Sequence, residues 1–436
     1  MRDEGIRRFF DFVLHLFFRK IRVAGANRVP AQGAVVLVAN HENALLDPLL
    51  LLVASGRPVR FLAKAPLFRH PLVSPFLRLL KALPVYRRQD EGSDMARNLA
   101  TFEACEHLLL EGEAMALFPE GVSRDEPHLA PLKTGAARIL GRSFARGARP
   151  VLLPAGLLYT AKSTFRSDVE VRFGIPIPYH DLAWGDGEDP AAVQALTERI
   201  RDALETLSLN ADRWEDIRFL EGIRGLALEM AGISADNLPE GKVLQGLVTR
   251  YYRARLECPT LVHALVAKAK AYLRMLELLG LRDEDVVRDV PFAAALAYTW
   301  KRLALIVAGY PPALYGWFFN FLPYLVTGRA ALAAAKERDT VATYKLYGGV
   351  VFFPLFYGAE GALLWRLAGP WWAAAGVLMG ALCGLWALRY YALRAHFVHL
   401  AAAAITLRTQ RHTADRLRGL RSEVMEALRP LVELYK

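Results

Sequence analysis

The stretch "AVVLVANHENALLDPLL", residues 34–50, joins a continuous apolar run to a polar loop and then to a helix signal. The run over residues 34–39 has the length and composition of a strand buried on both faces. Asp47 followed by Pro48 is typical of a helix start, because an aspartate accepts hydrogen bonds from free N–H groups and a proline fits the first turn. His41 is therefore predicted to lie in a loop between a strand and a helix, close to Asp47.

The alternation of strand and helix patterns continues to about residue 175. Five more apolar runs have the length of a strand, at residues 58–63, 83–86, 114–118, 149–157 and 169–174. Helical patterns accompany them, at residues 48–55, 71–82, 93–111 and 134–147. This alternation predicts an α/β fold with a mostly parallel sheet flanked by helices. A helical region and a C-terminal membrane region are predicted to follow it.

The composition is both apolar and basic. Of the 436 residues, 54% are hydrophobic, against about 45–50% in soluble domains, so we expect part of the chain to meet lipid. The net charge of +11 favours an anionic partner: nucleic acid, an acidic membrane surface or a phosphorylated substrate. Because the interleaved basic and aromatic residues of a nucleic-acid reader are missing, we expect membrane lipids and no nucleic acid.

The three cysteines, Cys105, Cys258 and Cys383, lie far apart in the sequence. Their spacing fits neither a metal motif nor a disulfide framework, which is typical of a reducing compartment. Cys105 falls in a helical pattern and is predicted to be a core residue. We expect no metal and no resident cofactor.

Three C-terminal stretches are apolar and long enough to cross a bilayer, at residues 303–326, 349–369 and 370–388. Pro311 and Pro312 interrupt the first stretch, so we predict a break there and a re-entrant path that enters and leaves by one face. The other two are predicted to form a transmembrane hairpin with basic flanks in the cytoplasm, at Arg329, Lys336, Arg338, Lys345, Arg389 and Arg394. We therefore expect an integral membrane protein with its catalytic domain facing the cytoplasm. The alternative is a buried, very apolar helical domain.

Changes in composition divide the chain into five predicted regions. They are an amphipathic membrane-surface helix over residues 1–24, a catalytic domain over 25–184, a helical extension over 185–300, a membrane region over 301–395 and a helical tail over 396–436. The first region has Phe and Leu on one helical face with Arg and Lys around it, which is typical of a helix in a membrane interface. The alternative is an ordinary amphipathic helix packed on the domain.

Polar and charged side chains follow several predicted strands. They are Asn40 and His41, Lys64, Arg87 and Arg88, and Glu120 and Arg124, with Lys133 near the last pair. We expect them at one edge of the sheet, because the carboxyl ends of parallel strands meet there and form the ligand site of α/β folds. Cations near a general base favour a phosphorylated substrate, since Arg and Lys pair with its oxygens. For Arg87, Arg88 and Lys133, a solvated basic rim is the alternative.

His41 and Asp47 are the predicted catalytic pair. A carboxylate beside an imidazole fixes the tautomer and stabilises the positive form, which makes the ring a better general base. The alternative is that Asp47 only caps its helix and that His41 is an ordinary loop residue. Gly121 permits a tight turn whose N–H groups face a ligand. Glu120 either binds a substrate hydroxyl or holds that turn.

Four segments carry a resemblance to a known family. "NHENALLD", "FLAKAPLF…LPVYRR", "LFPEG" and "VLLPAG" occur in the order of the four motif blocks of glycerolipid acyltransferases. Residues 30–180 therefore resemble the superfamily of glycerol-3-phosphate and 1-acylglycerol-3-phosphate acyltransferases. The resemblance implies that His41 takes the proton from a glycerol hydroxyl, oriented by Asp47, and that the alkoxide attacks an acyl thioester of coenzyme A or acyl carrier protein.

The resemblance also implies an acceptor site. Lys64, Arg87 and Arg124 would hold the phosphate of a glycerol phosphate or lysophospholipid, and Glu120 and Gly121 would shape the pocket. The full predicted substrate-binding set is Asn40, Lys64, Arg87, Arg88, Glu120, Gly121, Arg124 and Lys133.

The sequence departs from the family pattern at two places. Five residues separate His41 from Asp47, where four are usual, and Arg124 is displaced by one position. Both departures resemble the fungal-type branch that uses glycerol 3-phosphate and dihydroxyacetone phosphate, whose members carry membrane segments beyond the core. We therefore expect a membrane-bound glycerol-3-phosphate O-acyltransferase of phospholipid biosynthesis. The alternatives are an acyltransferase for 1-acylglycerol 3-phosphate or another lysophospholipid, a lipid hydrolase, and a non-enzymatic lipid-binding or transport protein.

Overall fold

The computed structural model describes residues 2–69, 73–86, 95–123, 126–233, 240–287, 292–335 and 337–433. The chain forms two compact units. The first consists of Met1–Asp212 and Ala334–Leu346, and the second of Arg213–Ala333 and Tyr347–Lys436.

The first unit is built on a seven-stranded sheet within its described residues. The strands are β1 (Lys20–Ala24), β2 (Val35–Ala39), β3 (Arg60–Lys64), β4 (Leu83–Val85), β5 (Ala114–Leu117), β6 (Val151–Tyr159) and β7 (Asp168–Phe173). Their order is β1-β7-β6-β2-β5-β3-β4. Among the described strands, only the β6–β7 pair is antiparallel. The predicted α/β fold with a mostly parallel sheet is confirmed.

Helices cover both faces of the sheet. They are α1 (Arg2–Phe17), α2 (Leu46–Ala54), α3 (Ser74–Leu79), α4 (Met95–Leu110), α5 (Gly135–Ala145) and α6 (Pro190–Glu205). Successive side chains of a strand point to opposite faces. Val35 and Leu37 of β2 therefore pack with α1 and α2, whereas Val36 and Val38 pack with α4, α5 and α6. Because both faces of β2 are buried, its sequence is continuously apolar.

Two boundaries of the first unit differ from the prediction. The N-terminal helix ends at Phe17, and residues 20–24 of the predicted helix form β1 at the sheet edge. Its residues Phe10 and Leu14 lie in the core, as the alternative of a packed helix requires. The unit also continues past the predicted boundary at residue 184, because α6 buries Leu196 and Ile200 against the sheet. Cys105 is buried as predicted.

The second unit is helical. Its helices are α7 (Trp214–Met230), α8 (Glu240–Glu257), α9 (Pro259–Leu279), α10 (Asp283–Val287), α11 (Phe292–Ala334), α12 (Val341–Ala368), α13 (Pro370–Thr409) and α14 (Arg411–Glu433), with the start of α12 in the first unit. Among described residues, two segments are long and apolar enough to cross a membrane, Arg338–Ala368 and Pro370–Thr409. Gly369, at φ +89°, separates them where the hairpin turn is predicted.

The path of α11 corrects one prediction. The helix is continuous through Pro311 and Pro312, so the predicted break is wrong. The reason is that neighbouring turns and packed helices hold the backbone around a proline in an apolar bundle. Helix α13 likewise continues past the predicted ends at residues 388 and 395.

Contacts of α11 bear on its predicted re-entrant path. Asn320 hydrogen-bonds to Gly380 O and Tyr357 Oη, which lie roughly 17 Å along their helices from Gly369. In contrast, Gly309 O accepts from Trp386 Nε1, and Thr327 contacts Gly348, at roughly 25 Å and 31 Å from that turn. The middle of the stretch thus lies nearer the turn than its ends do. A re-entrant path requires this arrangement and also a bend within the helix, because α11 is helical throughout. The path itself stays a prediction.

Candidate active site

The predicted catalytic pair is in direct contact. His41 Nδ1 lies 2.8 Å from Asp47 Oδ2, which also accepts hydrogen bonds at 2.8 Å from the backbone N–H groups of Glu42 and Asn43. Tyr159 donates its hydroxyl to Asp47 Oδ1. The Asp47 side chain is fully buried, and both of its oxygens accept hydrogen bonds from the groups around it. The proton of His41 therefore sits on Nδ1, and Nε2 keeps a lone pair for base chemistry.

The predicted capping role of Asp47 is wrong. Helix α2 begins one residue earlier, at Leu46, and Leu45 at its N-cap makes no side-chain capping bond. The carboxylate instead turns back and accepts from the loop that precedes the helix. The physical reason is that the loop N–H groups and the imidazole offer Asp47 three donors at once.

The five-residue spacing between His41 and Asp47 is accommodated by a tight turn. The Asn43 carbonyl accepts from the N–H groups of Leu46 and Asp47, and Ala44 has a φ of +22°. A residue with a Cβ rarely adopts a positive φ. The positive φ at Ala44 thus belongs to the turn that brings the imidazole into contact with the carboxylate.

His41 lies at the surface of a small pocket. Its ring stacks on Phe118, with centroids 4.1 Å apart and planes at 18°. About one-sixth of the side chain is exposed. The pocket is lined by Asn40, His41, Glu42, Glu120, Glu126, His128, Leu129, Ser208 and Leu209. The imidazole is therefore open to a ligand.

Glu120 ties two loops together. Its Oε1 accepts from the backbone N–H of His41 at 2.7 Å, and its Oε2 accepts from the N–H of Ala130 at 3.0 Å. Burial raises the pKa of Glu120 to about 6. Of its two predicted roles, holding the turn is the one these contacts perform. Gly121, at φ +70°, completes the turn, and the Lys133 side chain lies where a Cβ on Gly121 would be.

Asn40 and Glu42 are bonded to protein groups beside the base. Asn40 Oδ1 accepts from Leu157 N–H, and its Nδ2 donates to Leu157 O and Glu42 Oε1, which joins β2 to β6. Glu42 also pairs with Lys162 at 2.9 Å. Burial raises the pKa of Glu42. These contacts give Asn40 a structural role where the sequence suggested substrate binding.

The predicted cations are only partly described. Lys64 ends β3 and is exposed at the same sheet edge as His41, two strands from β2. Lys133 is exposed beside Gly121. Arg87, Arg88 and Arg124 lie outside the described residues. Lys64 and Lys133 are thus the described members of the predicted phosphate site.

Several site residues were missed by the sequence reasoning. Tyr159 ends β6 at the edge that carries His41, so extending the predicted strand from residue 157 to 159 would have found it. Phe118 follows β5 directly and sits in a quoted motif, but an apolar residue there reads as core. The contact of Lys162 with Glu42 is not signalled by any pattern in the sequence.

Part of the chain is similar to known acyltransferases. The family model described as Acyltransferase matches residues 20–156. An uncharacterized acyltransferase of Schizosaccharomyces pombe is 25% identical, over 80% of this chain and 66% of that protein. Glycerol-3-phosphate O-acyltransferase 1 of Saccharomyces cerevisiae is 23% identical, over 79% of this chain and 59% of its own length.

Two shorter acyltransferases match a smaller share of the chain. The 1-acyl-sn-glycerol-3-phosphate acyltransferase of Bacillus subtilis is 26% identical, over 42% of this chain and 87% of that protein. Among solved structures, the 1-acyl-sn-glycerophosphate acyltransferase PlsC of Thermotoga maritima aligns with a TM-score of 0.34 at 18% identity, over 47% of this chain and 79% of that one. The chain spans less than two-thirds of the length of the yeast relatives it matches.

Proposed function

Because residues 20–156 match the family model described as Acyltransferase, we propose that this chain transfers a fatty acyl group from a thioester to a hydroxyl of glycerol 3-phosphate. The observation that carries the proposal is the His41–Asp47–Tyr159 hydrogen-bond chain at the ligand-binding edge of the sheet. A general base for a hydroxyl needs an unprotonated nitrogen and a fixed ring, and this chain of contacts supplies both.

The reaction follows from that geometry. His41 Nε2 takes the proton from the glycerol hydroxyl, and the oxygen attacks the carbonyl carbon of the thioester. The tetrahedral intermediate then collapses with cleavage of the C–S bond, and the leaving thiolate takes the proton back from the imidazolium. Asp47 stabilises the imidazolium, and no covalent acyl-enzyme is needed.

The acceptor is proposed to bind through its phosphate. Lys64 and Lys133 are exposed at the sheet edge that carries His41, and ammonium groups pair with phosphate oxygens. Arg87, Arg88 and Arg124 complete the proposed set on sequence grounds. The proposed acyl donors are acyl-CoA and acyl carrier protein.

A second acceptor, 1-acylglycerol 3-phosphate, is favoured by one observation. The Bacillus subtilis acyltransferase named for that substrate aligns along 87% of its length with this chain. In contrast, the glycerol-3-phosphate acyltransferase of Saccharomyces cerevisiae aligns along 79% of this chain, including the region beyond the sheet. The longer alignment makes glycerol 3-phosphate the first choice.

We propose that the chain is an integral membrane protein and that its catalytic unit lies on the cytoplasmic side. The two apolar segments around Gly369 support insertion. Exposed Trp365, Trp371 and Trp372 flank the turn between them, and tryptophan is typical of membrane interfaces.

An acceptor screen tests the function. The full chain, purified in detergent or nanodiscs, receives labelled acyl-CoA or acyl carrier protein with glycerol 3-phosphate, dihydroxyacetone phosphate, lysophosphatidate or water. We expect labelled lysophosphatidate from glycerol 3-phosphate, formed at least about a hundredfold more slowly by the His41→Ala variant. Release of free fatty acid without an acceptor would indicate a hydrolase and refute the proposal.

A further inference from the structure

A short segment beyond α11 belongs to the catalytic unit. The chain leaves this unit at Asp212, passes through α7 to α11 and returns with Ala334–Leu346. Within it, residues 338–346, here called the brace, form a short 3₁₀ turn and the first turns of α12. The acyltransferase family model ends at residue 156, so the brace lies outside it.

The brace contacts three loops of the active site. Asp339 accepts a hydrogen bond from the hydroxyl of Ser123, two residues beyond Gly121. Thr343 Oγ1 accepts from the backbone N–H of Leu45, in the loop between His41 and Asp47, at 3.2 Å. Lys345 Nζ donates to the carbonyl of Ser163 at 2.7 Å.

The third contact leads back to the base. Ser163 adjoins Lys162, whose ammonium pairs with Glu42 and whose carbonyl accepts from Asn43 Nδ2 at 2.9 Å. Glu42 and Asn43 are also the residues whose N–H groups bind Asp47. Each loop that contacts the brace therefore also supports the catalytic pair or the Gly121 turn.

Burial fixes the brace in place. Ala342 and Leu346 lie in the same apolar core as α2 and β2. The Asp339 side chain is buried as well. A hydrogen bond to a buried carboxylate is stronger than one between neutral groups, and losing it leaves a desolvated charge without that donor. The contact therefore restrains Ser123 and the turn before it.

We propose that the brace positions two of these active-site loops, with Asp339 holding the acceptor side through Ser123 and Thr343 holding the base side through Leu45. This inference rests on the proposed function, since it names the acceptor as the ligand of the Gly121 turn. Asp339 and Thr343 are positioning residues: they act through other groups and do not touch the reacting atoms. Their effects on the kinetic constants differ because they restrain different loops.

Kinetics of full-chain variants test the division of roles. Asp339→Ala and Ser123→Ala each raise the KM for glycerol 3-phosphate about tenfold and change kcat less than twofold, and the double variant is no worse than the poorer single. Asp339→Asn, which keeps an acceptor oxygen, recovers most of the affinity. Thr343→Val lowers kcat about threefold and leaves KM unchanged. Glu337→Gln, an exposed neighbour in the same segment, changes neither constant.

Hydrogen exchange gives a readout that needs no activity. Backbone amides of residues 118–123 exchange faster in Asp339→Ala than in the unsubstituted chain, while amides of β2 are unaltered. The proposed role of the brace would be refuted if the KM effects of Asp339→Ala and Ser123→Ala were additive. Unaltered exchange at residues 118–123 would refute it as well. If the unsubstituted chain transfers no acyl group, the proposed function fails. The exchange comparison alone then tests whether the brace holds the Gly121 turn.

Discussion

Among the described residues, two histidine–aspartate pairs have a buried carboxylate, one pair in each unit. His41 Nδ1 lies 2.8 Å from Asp47 Oδ2, and His399 Nε2 lies 2.8 Å from Asp285 Oδ2. The two rings are similarly exposed, with 16% and 20% of the side chain open to solvent. Distance and burial therefore do not separate the proposed catalytic pair from the pair in the helical unit.

The two pairs differ in the nitrogen used and in the elements that carry them. Asp47 binds Nδ1 of His41, so Nε2 of that ring is available to a ligand in the pocket. Asp285 binds Nε2 of His399 and thereby joins α10 to α13. It also accepts a hydrogen bond from the backbone N–H of Arg282. An imidazole whose Nε2 is bonded to a protein group cannot take a substrate proton at that nitrogen without breaking the bond. We therefore expect the nitrogen that is bonded, and not distance or burial, to distinguish a base from a packing contact.

Removing the two rings gives the largest contrast. His41→Ala should lower the rate of acyl transfer at least about a hundredfold, a typical general-base contribution. His399→Ala should leave the rate within about twofold and lower the midpoint of thermal unfolding, because Asp285 loses a buried partner. Steady-state rates and thermal unfolding of both variants check this. A large rate loss in both variants, or in neither, would remove the distinction.

Glu120 binds the backbone N–H of His41, so its ionisation should make the stability around the first pair depend on pH. Burial raises its pKa from 4.5 to about 6, so the folded chain binds this proton more tightly than the unfolded chain does. The stability from Glu120 is fully present below pH 4.5 and is lost as pH rises through 6, a change of about 2 kcal/mol.

The measurement compares unfolding of the unsubstituted chain and Glu120→Gln at several pH values. As the pH rises from 4 to 7, the unsubstituted chain should lose about 2 kcal/mol of stability relative to Glu120→Gln. A difference independent of pH would mean that Glu120 ionises normally.

Each unit also contains a tyrosine bonded to an aspartate. Tyr159 donates to Asp47, and Tyr272 donates to Asp283 at 2.6 Å. Tyr159→Phe should lower kcat about tenfold, near 1.4 kcal/mol, with an unchanged acceptor KM, because Asp47 then holds the imidazolium less firmly. Tyr272→Phe should cost stability only, about 1–2 kcal/mol. Equal losses of kcat in the two variants would contradict the assignment of Asp47 to catalysis.

Much of the first unit was predictable because its signals are local. The predicted strands at 34–39 and 114–118 match β2 and β5 within one residue at each end, since a strand buried on both faces must be continuously apolar. The contact between His41 and Asp47 also followed from a strand end next to a helix start. Strand β1 was missed because Lys20 and Arg22 continue the basic face of the helix before it.

The remaining contacts depend on tertiary structure. Asp339 reaches Ser123 from 216 residues away, and no periodicity or spacing encodes such a distance. The capping prediction for Asp47 failed for a related reason: three donors in the loop compete with the helix end, and only the folded loop brings them together. The prolines of α11 were misread because helix packing overrides their local tendency to break a helix.

The smallest predicted effect concerns the backbone that holds the first pair. Ala44 adopts a φ of +22° between His41 and Asp47, whereas Asp285 and His399 both lie in regular helices. A Cβ in the left-handed region costs about 1–2 kcal/mol, and glycine removes that cost while losing more entropy on folding. Ala44→Gly should therefore stabilise the chain by about 0.5–1 kcal/mol.

Ala100→Gly is the matched control, because Ala100 is exposed inside α4 and glycine there should cost about 1 kcal/mol. Thermal unfolding of the two variants should therefore shift in opposite directions. Equal losses in both would mean that the turn at Ala44 carries no strain. If Ala44→Gly is more stable but turns over more slowly, the strained turn holds the imidazole in position, because a relaxed loop then permits geometries in which His41 and Asp47 separate.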